Sequence, residues 1–345
     1  MTQTAVAAAT PQAPATEELL AVDDLSCTLT TPRGELRIVD GVSFVLRRGE
    51  TLGIAGESGS GKSMLSRSLM RIAPRSAELT GSVRFDGTEL LGLPVERMSR
   101  YLGPQMALVF QDPMTALNPV VPIERQITEG PRRHLGLSRG QAKARALELL
   151  ELVGIPEPRK RLRQYPHELS GGMRQRVMIA IALACDPQLL IADEATTALD
   201  VTVQKQILDL LQEIQAERRM AVIMVSHDLG VLAGRTDRTM VMYGGRVMES
   251  APTRELFAHT RHQYTRALLD AIPRMDQPRH TLLRAIPGVP PDPAAELAGC
   301  RFAPRCAAAI ERCRTAVPPL EAATTGSDHL YACNVPVNRD GRRPA

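Results

Sequence analysis

The sequence predicts an α/β fold built around a phosphate-binding loop, and three observations support this prediction. Residues Gly56–Ser63 fit the pattern G-x-x-x-x-G-K-[ST] and directly follow Thr51–Ala55, a short apolar run typical of a buried strand. Apolar runs and helical periodicity then alternate between residues 189 and 225. The octet Leu169–Arg176 places a serine and two glycines before a long apolar run. A second helix is therefore expected to begin with free backbone N–H groups, which suit an anion.

Length and composition indicate a globular chain with more than one domain. Of its 345 residues 43% are hydrophobic and 23% charged, and a net charge of +4 is too small to indicate nucleic-acid binding without a clustered patch. No apolar run approaches the ~20 residues of a membrane-spanning helix. Met1–Thr16 contains no Lys or Arg, so we expect a disordered tail over residues 1–18 rather than a signal peptide. The chain is therefore expected in the cytosol, with its six cysteines reduced.

The predicted elements divide the rest of the chain into two regions. Residues 19–250 form an α/β domain with a helical subdomain at about 112–170, and residues 251–345 form a separate Pro- and Cys-rich extension with few strand signals. The predicted strands are Leu19–Leu29, Gly34–Leu46, Thr51–Ala55, Val83–Phe85, Ala107–Phe110, Leu189–Ala192 and Ala221–Val225, with a hairpin of Met240–Tyr243 and Arg246–Glu249. The predicted helices are Ser63–Met70, Gln141–Val153 and Val203–Arg218. The first two strands alternate apolar and polar residues, as antiparallel strands do.

The glycine-rich loop carries groups that bind phosphate. Its glycines let the backbone approach phosphate oxygens closely, Lys62 offsets their charge, and the Ser63 hydroxyl suits Mg²⁺. The residues assigned to phosphate binding are Gly56, Ser58, Gly59, Ser60, Gly61, Lys62 and Ser63. The strand Leu189–Ala192 ends in Asp193 and Glu194, whose carboxylates suit Mg²⁺ binding and activation of a water molecule. Capping of the following helix is the alternative.

Further motifs follow in a fixed order along the chain. Gln111 lies in Val-Phe-Gln-Asp-Pro, Asp200 ends Thr-Ala-Leu-Asp, and His227 lies in Val-Ser-His-Asp. With the glycine-rich loop, the acidic pair and the octet, these motifs resemble the ATPase subunits of ATP-binding cassette (ABC) transporters. The resemblance covers about Leu19–Ser250. It implies a RecA-like core, an antiparallel β subdomain and a helical subdomain, followed here by the extension.

The resemblance also implies ATP and Mg²⁺ as ligands and a role for each motif. Catalysis is assigned to Glu194, His227 and Gln111. Mg²⁺ is assigned to Ser63, Gln111 and Asp193, the last two of which also line the ATP site. In this family two cassettes pair head to tail, and each signature helix contacts ATP held by the partner's glycine-rich loop. The residues expected to act across that interface are Ser170, Gly171, Gly172 and Gln175 of the signature, and Asp200 of the D-loop.

Three stretches resemble the oligopeptide, dipeptide and nickel importer branch of this family: Gln111–Pro119, His262–Pro273 and Cys300–Cys306. This resemblance implies a peripheral protein at the cytoplasmic face of the membrane. Its partners would be a second, different ATPase subunit, two membrane permease subunits and an extracytoplasmic solute-binding protein, with no nucleic acid. Peptide is the favoured solute, and nickel or another solute is the alternative.

The sequence argues against two rival functions. A soluble ABC ATPase acting on nucleic acid or ribosomes would typically carry two cassettes or long insertions, whereas each motif occurs once here and the span between Lys62 and Ser170 is short. A non-hydrolysing regulatory subunit would lack Glu194 or His227, and both are present.

The extension contains Cys300, Cys306, Cys313 and Cys333. Four thiolates suit either an iron–sulfur cluster or a tetrahedral zinc ion, and their wide spacing matches neither a zinc ribbon nor a ferredoxin. Some peptide-importer ATPases are similar here and carry a [4Fe-4S] cluster, which this resemblance favours. Four unrelated reduced cysteines are the alternative. Cys27 and Cys185 lie in apolar patterns and are predicted to be buried.

One position departs from the family pattern. The family usually stacks adenine on an early aromatic side chain, near the position where the register places Leu29. Residues 1–42 contain no Tyr, Phe or Trp. We therefore expect aliphatic packing against adenine or a contribution from Arg33.

Overall fold

A computed structural model of the protein describes residues 17–32, 34–195, 200–272, 285–292, 294 and 298–338. Its strands are β1 (Glu18–Thr31), β2 (Gly34–Arg47), β3 (Thr51–Ala55), β4 (Ala77–Phe85), β5 (Thr88–Glu89), β6 (Met106–Val109), β7 (Leu189–Asp193), β8 (Ala221–Ser226), β9 (Arg238–Tyr243), β10 (Arg246–Pro252), β11 (Glu321–Ala322) and β12 (Leu330–Tyr331). Its helices are α1 (Lys62–Leu69), α2 (Val95–Met98), α3 (Pro113–Ala116), α4 (Ile123–His134), α5 (Arg139–Leu152), α6 (Pro158–Arg161), α7 (Gly171–Ala182), α8 (Val201–Arg218), α9 (Leu229–Leu232), α10 (Thr253–Ala258), α11 (Gln263–Asp270) and α12 (Glu311–Thr315). Short 3-10 turns occupy Pro166–Glu168 and Ala303–Arg305.

The main sheet confirms the predicted α/β fold. Its order is β11-β12-β10-β9-β3-β8-β7-β6, and β9, β3, β8, β7 and β6 run parallel. Strands β3, β7 and β8 are buried along their whole length, which explains why they appear in the sequence as continuous apolar runs. The carboxyl ends of these three strands share one edge of the sheet. Gly56, Glu194 and His227 therefore meet there.

A second, antiparallel sheet has the order β2-β1-β4-β5 and confirms the prediction for the first two strands. Strand β1 begins at Glu18, opposite Arg47, so Glu18 belongs to the sheet and not to the tail as predicted. The predicted tail over residues 1–16 lies outside the described residues. Leu20, Leu25 and Phe85 of this sheet pack in one apolar core with β3 and α1.

Helices α4 and α5 lie in the region predicted to be helical, and they pack against each other and against α7, which begins just after that region. Helix α5 begins two residues before the predicted start because Ser138 caps it: Ser138 Oγ accepts from the N–H of Gln141, and the Gln141 side chain accepts from the N–H of Ser138. Helix α8 begins at Val201 because Asp200 caps it. None of the helices in the described ranges is both long enough and apolar enough to span a bilayer.

The C-terminal extension continues the main sheet, although the sequence suggested a separate appendage. Strand β12 pairs with β10, so that Tyr331 lies opposite Glu249. The Glu249 side chain is fully buried, and its carboxylate accepts from the N–H groups of Arg261 (2.6 Å) and His262 (3.0 Å). The Nε2 atom of buried His329 lies 2.7 Å from the same carboxylate. The extension therefore supplies the hydrogen-bond partners of a buried carboxylate in the main sheet.

Candidate functional site

The glycine-rich loop lies close to its neighbours, and this geometry explains two of its glycines. Gly56 has a φ of +152°, and a Cβ atom there would lie 2.2 Å from the carbonyl oxygen of Met242. Gly61 has a φ of +99°, and a Cβ atom there would lie 2.5 Å from the carbonyl oxygen of Ile38. Gly59, with a φ of +79°, borders open space instead. The loop is thus tightly packed at both ends and open at its tip.

Lys62 begins α1, and its side chain folds back into the loop. The side chain is 3% exposed, and Nζ donates to the carbonyl oxygens of Gly56 (2.8 Å) and Glu57 (2.9 Å). Burial lowers the pKa of Lys62, while the carboxylates of Glu194 and Asp193 oppose this change. The ammonium group is therefore held inside the loop by two of the loop's own carbonyl oxygens.

Ser63 and Asp193 form an oxygen-donor pair beside the loop. The Ser63 hydroxyl donates to Asp193 Oδ1 at 2.9 Å, and the Asp193 side chain is 3% exposed. Burial raises the pKa of Asp193, and the hydrogen bond from Ser63 opposes this change. A hydroxyl and a carboxylate side by side are a donor set that suits Mg²⁺. The residues therefore fit the ion that the sequence predicts.

Side chains from three other predicted motifs lie close to Glu194. Gln111 Nε2 donates to Glu194 Oε2 at 2.8 Å, and His227 Nδ1 lies 3.6 Å from the same oxygen. Lys62 Nζ lies 3.9 Å from the other carboxylate oxygen. Glu194 adopts a left-handed φ of 48°, and its N–H donates to the carbonyl oxygen of Val225. A carboxylate held at this position next to a phosphate-binding loop is typical of a P-loop nucleoside triphosphatase.

The signature octet lies at the surface of the helical region. Ser170 and Gly171 are exposed at the start of α7, and Ser170 Oγ accepts from the N–H of Met173 at 3.4 Å. A Cβ atom on Gly171 would meet nothing within 4 Å, whereas one on Gly172 would approach Val203 of α8 to 3.0 Å. The start of α7 thus leaves Ser170 and Gly171 accessible to another molecule and packs Gly172 against α8.

Gln175 corrects the sequence prediction. Its side chain is 1% exposed, so it does not reach outward toward a nucleotide on a partner. Five residues along a helix rotate a side chain by about 140° away from Ser170, which places Gln175 on the buried face. In the described part of the chain its Nε2 atom has no hydrogen-bond partner.

Asp200 of the predicted D-loop caps α8. Its Oδ1 atom accepts from the N–H groups of Thr202 (3.1 Å) and Val203 (3.0 Å). The preceding D-loop residues 197–199 lie outside the described residues, as does Arg33, the residue named as a contact for adenine. Leu29, the other candidate, lies half-buried in β1 opposite Leu36.

The four cysteines of the extension lie in one region. Burial raises the pKa of Cys300 and that of Cys333, the latter to about 11, and both thiols interact electrostatically with Cys306. The N–H of Cys300 donates to the carbonyl oxygen of Cys313 at 2.8 Å. Across the described residues, however, no group of three or more His, Cys, Asp or Glu side chains is arranged to hold a metal ion. Cys27 and Cys185 are buried, as predicted.

Sequence reasoning missed a second group of residues that contact the phosphate-binding loop. Arg305 of the extension forms an ion pair with Glu57 of the loop, and the Tyr264 hydroxyl accepts from the N–H of Glu57 at 2.8 Å. Glu57 occupies a position at which the loop motif accepts any residue. Arg305 and Tyr264 each lie in a stretch that resembles the importer branch, and this was the only signal.

Comparisons with known proteins identify the family of this chain. Residues 39–197 match the family described as ABC transporter, and residues 248–313 match the family described as oligopeptide/dipeptide transporter, C-terminal region. The oligopeptide transport ATP-binding protein OppD of Salmonella typhimurium is 49% identical over 319 residues, which cover 92% of this chain and 94% of OppD. OppD of Escherichia coli is 48% identical over 321 residues, covering 93% of this chain and 94% of that protein.

Solved structures share the fold. The dimeric ATP-binding cassette MJ0796 in a post-hydrolysis state with ADP and Pi superposes with a TM-score of 0.62 at 27% identity, covering 68% of this chain and 99% of that one. The protein therefore belongs to the ATP-binding subunits of ABC transporters, in the oligopeptide transport branch.

Proposed function

We propose that this protein hydrolyses ATP to drive the import of oligopeptides or dipeptides. The observation that carries the proposal is the convergence of Lys62, Gln111 and His227 on Glu194, beside the phosphate-binding loop. This convergence supports a role for Glu194 as the base next to the terminal phosphate. The peptide substrate is inferred from the relatives, which are named as oligopeptide transport proteins.

Each residue has a proposed role in hydrolysis. Glu194 accepts the proton of the attacking water, His227 contacts the terminal phosphate, and Lys62 offsets its charge. Mg²⁺ would be held by Ser63, Asp193 and the side-chain oxygen of Gln111, and it would neutralise charge on the phosphates. The backbone N–H groups from Ser58 to Ser63 would cradle the phosphates.

The decisive experiment is the substitution Glu194→Gln. We expect phosphate release to fall by about 10²-fold while MgATP still binds, because the amide cannot accept a proton. Phosphate release and MgATP affinity are measured on the same preparation. Glu217→Gln, an exposed carboxylate on α8, is the matched control and should hydrolyse ATP normally. Normal turnover of Glu194→Gln would remove Glu194 from the proposed mechanism.

The complete site is proposed to form between two subunits. Ser170 and Gly171 are exposed at a helix start, where backbone N–H groups suit a phosphate held by another chain. The dimeric cassette that shares this fold supports such pairing. We propose that the second chain is a different ATPase subunit and that Asp200 lies near the interface. Copurification should recover a second ATPase, and recovery of a homodimer alone would contradict this.

The remaining partners are two membrane permease subunits and an extracytoplasmic solute-binding protein, which places this chain on the cytoplasmic face of the membrane. Reconstitution of the complex in lipid vesicles tests the solute directly. Oligopeptide and dipeptide should each be tested against a nickel chelate for stimulation of ATP hydrolysis. Stimulation by nickel chelate alone would overturn the peptide assignment.

We also propose that Cys300, Cys306, Cys313 and Cys333 hold a [4Fe-4S] cluster, with zinc as the alternative. The support is chemical: four thiols lie in one region, and burial together with Cys306 raises the pKa of Cys300 and of Cys333. Anaerobically purified protein should show broad absorbance near ~400 nm that Cys306→Ser abolishes. A colourless protein that contains zinc would refute the cluster.

A further inference from the structure

The C-terminal extension contacts both the N–H and the carboxylate of Glu57, the second residue of the phosphate-binding loop. The Glu57 N–H donates to the Tyr264 hydroxyl at 2.8 Å, and its carboxylate accepts from Arg305 Nη1 at 2.6 Å and Nη2 at 3.0 Å. The Glu57 carbonyl oxygen accepts from Lys62 Nζ at 2.9 Å. Glu57 therefore links two residues of the extension directly to the lysine that faces the phosphates.

Arg305 is itself rigidly held. Its side chain is 5% exposed, and Nε donates to the carbonyl oxygen of Pro287 at 2.9 Å. Nη1 also donates to the Tyr243 hydroxyl at 3.1 Å, and Nη2 to the carbonyl oxygen of Ile286 at 3.2 Å. With the two bonds to Glu57, each nitrogen of the guanidinium group has a partner. A guanidinium fixed in this way presents a planar fork to one carboxylate, which a flexible lysine does not reproduce.

Tyr264 is equally constrained. It is fully buried, and its ring packs against Tyr243, with centroids 4.5 Å apart, and against Phe302, with centroids 5.1 Å apart. Burial raises the pKa of Tyr264, so the hydroxyl stays neutral, and the ring packing limits its movement. Its oxygen is thus a stationary acceptor for one N–H of the loop.

The extension has other anchors to the cassette, so Arg305 is not needed for docking alone. Arg301 donates to the carbonyl oxygen of Gly244 and, at 2.5 Å, to Asp40 Oδ2. Glu249 and His329 join the extension to the main sheet through a buried pair. Neither anchor involves a side chain of the phosphate-binding loop.

We propose that Arg305 and Tyr264 are positioning residues for the ATP site, which act through Glu57 to hold the phosphate-binding loop and Lys62 in the shape that receives the phosphates. The proposal rests on the ATP hydrolysis proposed above and adds that the site is assembled partly from the extension. Ordering a binding loop before its ligand arrives increases affinity because less ordering remains for the ligand to impose.

The test compares Tyr264→Phe, Arg305→Ala and Arg305→Lys in the full chain. We expect Tyr264→Phe and Arg305→Ala each to raise the Kd and the KM for MgATP by about tenfold, a usual size for coupling between two sites, with a smaller change in kcat. Arg305→Lys should recover part of the affinity because it keeps the charge but not the fork. Arg312→Ala, an exposed arginine of the same extension, is the matched control and should bind MgATP like the wild type.

The outcomes separate this proposal from the one on which it rests. If the wild-type chain fails to bind MgATP, the ATPase proposal fails. If the wild type binds and Tyr264→Phe and Arg305→Ala lower the melting temperature but not the affinity, the extension is a docking element only and the positioning role is overturned. Should Arg305→Ala not fold, Tyr264→Phe decides alone, since it removes one hydroxyl and keeps the ring packing.

Discussion

The Ser63 hydroxyl donates to Asp193 at 2.9 Å, although the two residues are 130 positions apart in the sequence. This hydrogen bond joins the end of β7 to the first turn of α1, so a strand end and a helix start bring together the hydroxyl and the carboxylate that are proposed to hold Mg²⁺. The carboxylate is buried, and burial raises the pKa of Asp193. The ionised Asp193 carboxylate, which is proposed to bind Mg²⁺, thus destabilises the folded protein when no metal is bound.

This conflict predicts the behaviour of Asp193→Asn. Since the folded-state pKa of Asp193 is raised, the ionised carboxylate destabilises the fold above that pKa, and the penalty disappears as pH falls to the ordinary carboxyl value. We expect the variant to melt about 2 °C higher than the wild type at neutral pH. The difference should vanish in acid, which serves as the internal control. MgATP should no longer raise the melting temperature of the variant, and stabilisation by MgATP equal to that of the wild type would contradict the metal assignment.

The exposed position of Gly171 predicts an effect that appears only in the assembled transporter. Gly171→Asp introduces a negative side chain into open space, so the isolated subunit should fold and bind MgATP normally. In the complex the charge would face the phosphates of the partner's nucleotide, and ATPase activity should fall by about 10²-fold. Gly140→Asp, also at an exposed helix start with open space, is the control. Equal activity of the two complexes would argue against a composite site.

The two loop glycines Gly56 and Gly59 predict contrasting stability effects. Gly56→Ala places a methyl group against a backbone oxygen at a positive φ, and we expect it to lower the free energy of unfolding by about 3 kcal/mol. Gly59→Ala meets no neighbouring atom and should lower it by only about 1 kcal/mol, the cost of a left-handed alanine. Urea unfolding followed by circular dichroism measures both. Equal losses would mean that the close packing at Gly56 is unimportant.

The buried Gln175 predicts a stabilising substitution. Gln175→Met has nearly the same shape and removes a buried amide nitrogen that makes no hydrogen bond within the described residues. We expect the free energy of unfolding to rise by about 1 kcal/mol, with ATPase activity of the assembled complex unchanged. A large loss of activity in a well-folded complex would restore the original assignment of Gln175 to the partner's nucleotide.

The sequence predicted the fold where local pattern decides it. Continuous apolar runs identify β3, β7 and β8, because both faces of these strands are buried. The helical spacing of the apolar residues Ile207, Leu211 and Ile214 identifies α8. The pairing of β12 with β10 leaves no such pattern. It spans two residues and depends on Glu249 and His329, which lie 80 positions apart.

The functional site shows the same difference between local sequence patterns and long-range contacts. The proximity of Lys62, Ser63, Asp193 and Glu194 was predictable because each belongs to a motif of fixed spacing. The ion pair of Glu57 and Arg305 joins residues 248 positions apart, and neither residue type indicates the other. Gln175 was misassigned because a motif match identifies a residue without showing the direction of its side chain.

The buried carboxylate of Glu249 limits how this protein can be divided. A fragment that ended at Ser250 would retain every nucleotide motif, yet it would leave Glu249 without the N–H groups of Arg261 and His262 and without His329. The nucleotide-binding domain therefore cannot be separated from the extension without leaving this buried carboxylate unpaired. Any chimera that exchanges ATPases between transporters must therefore transfer the extension together with the motifs.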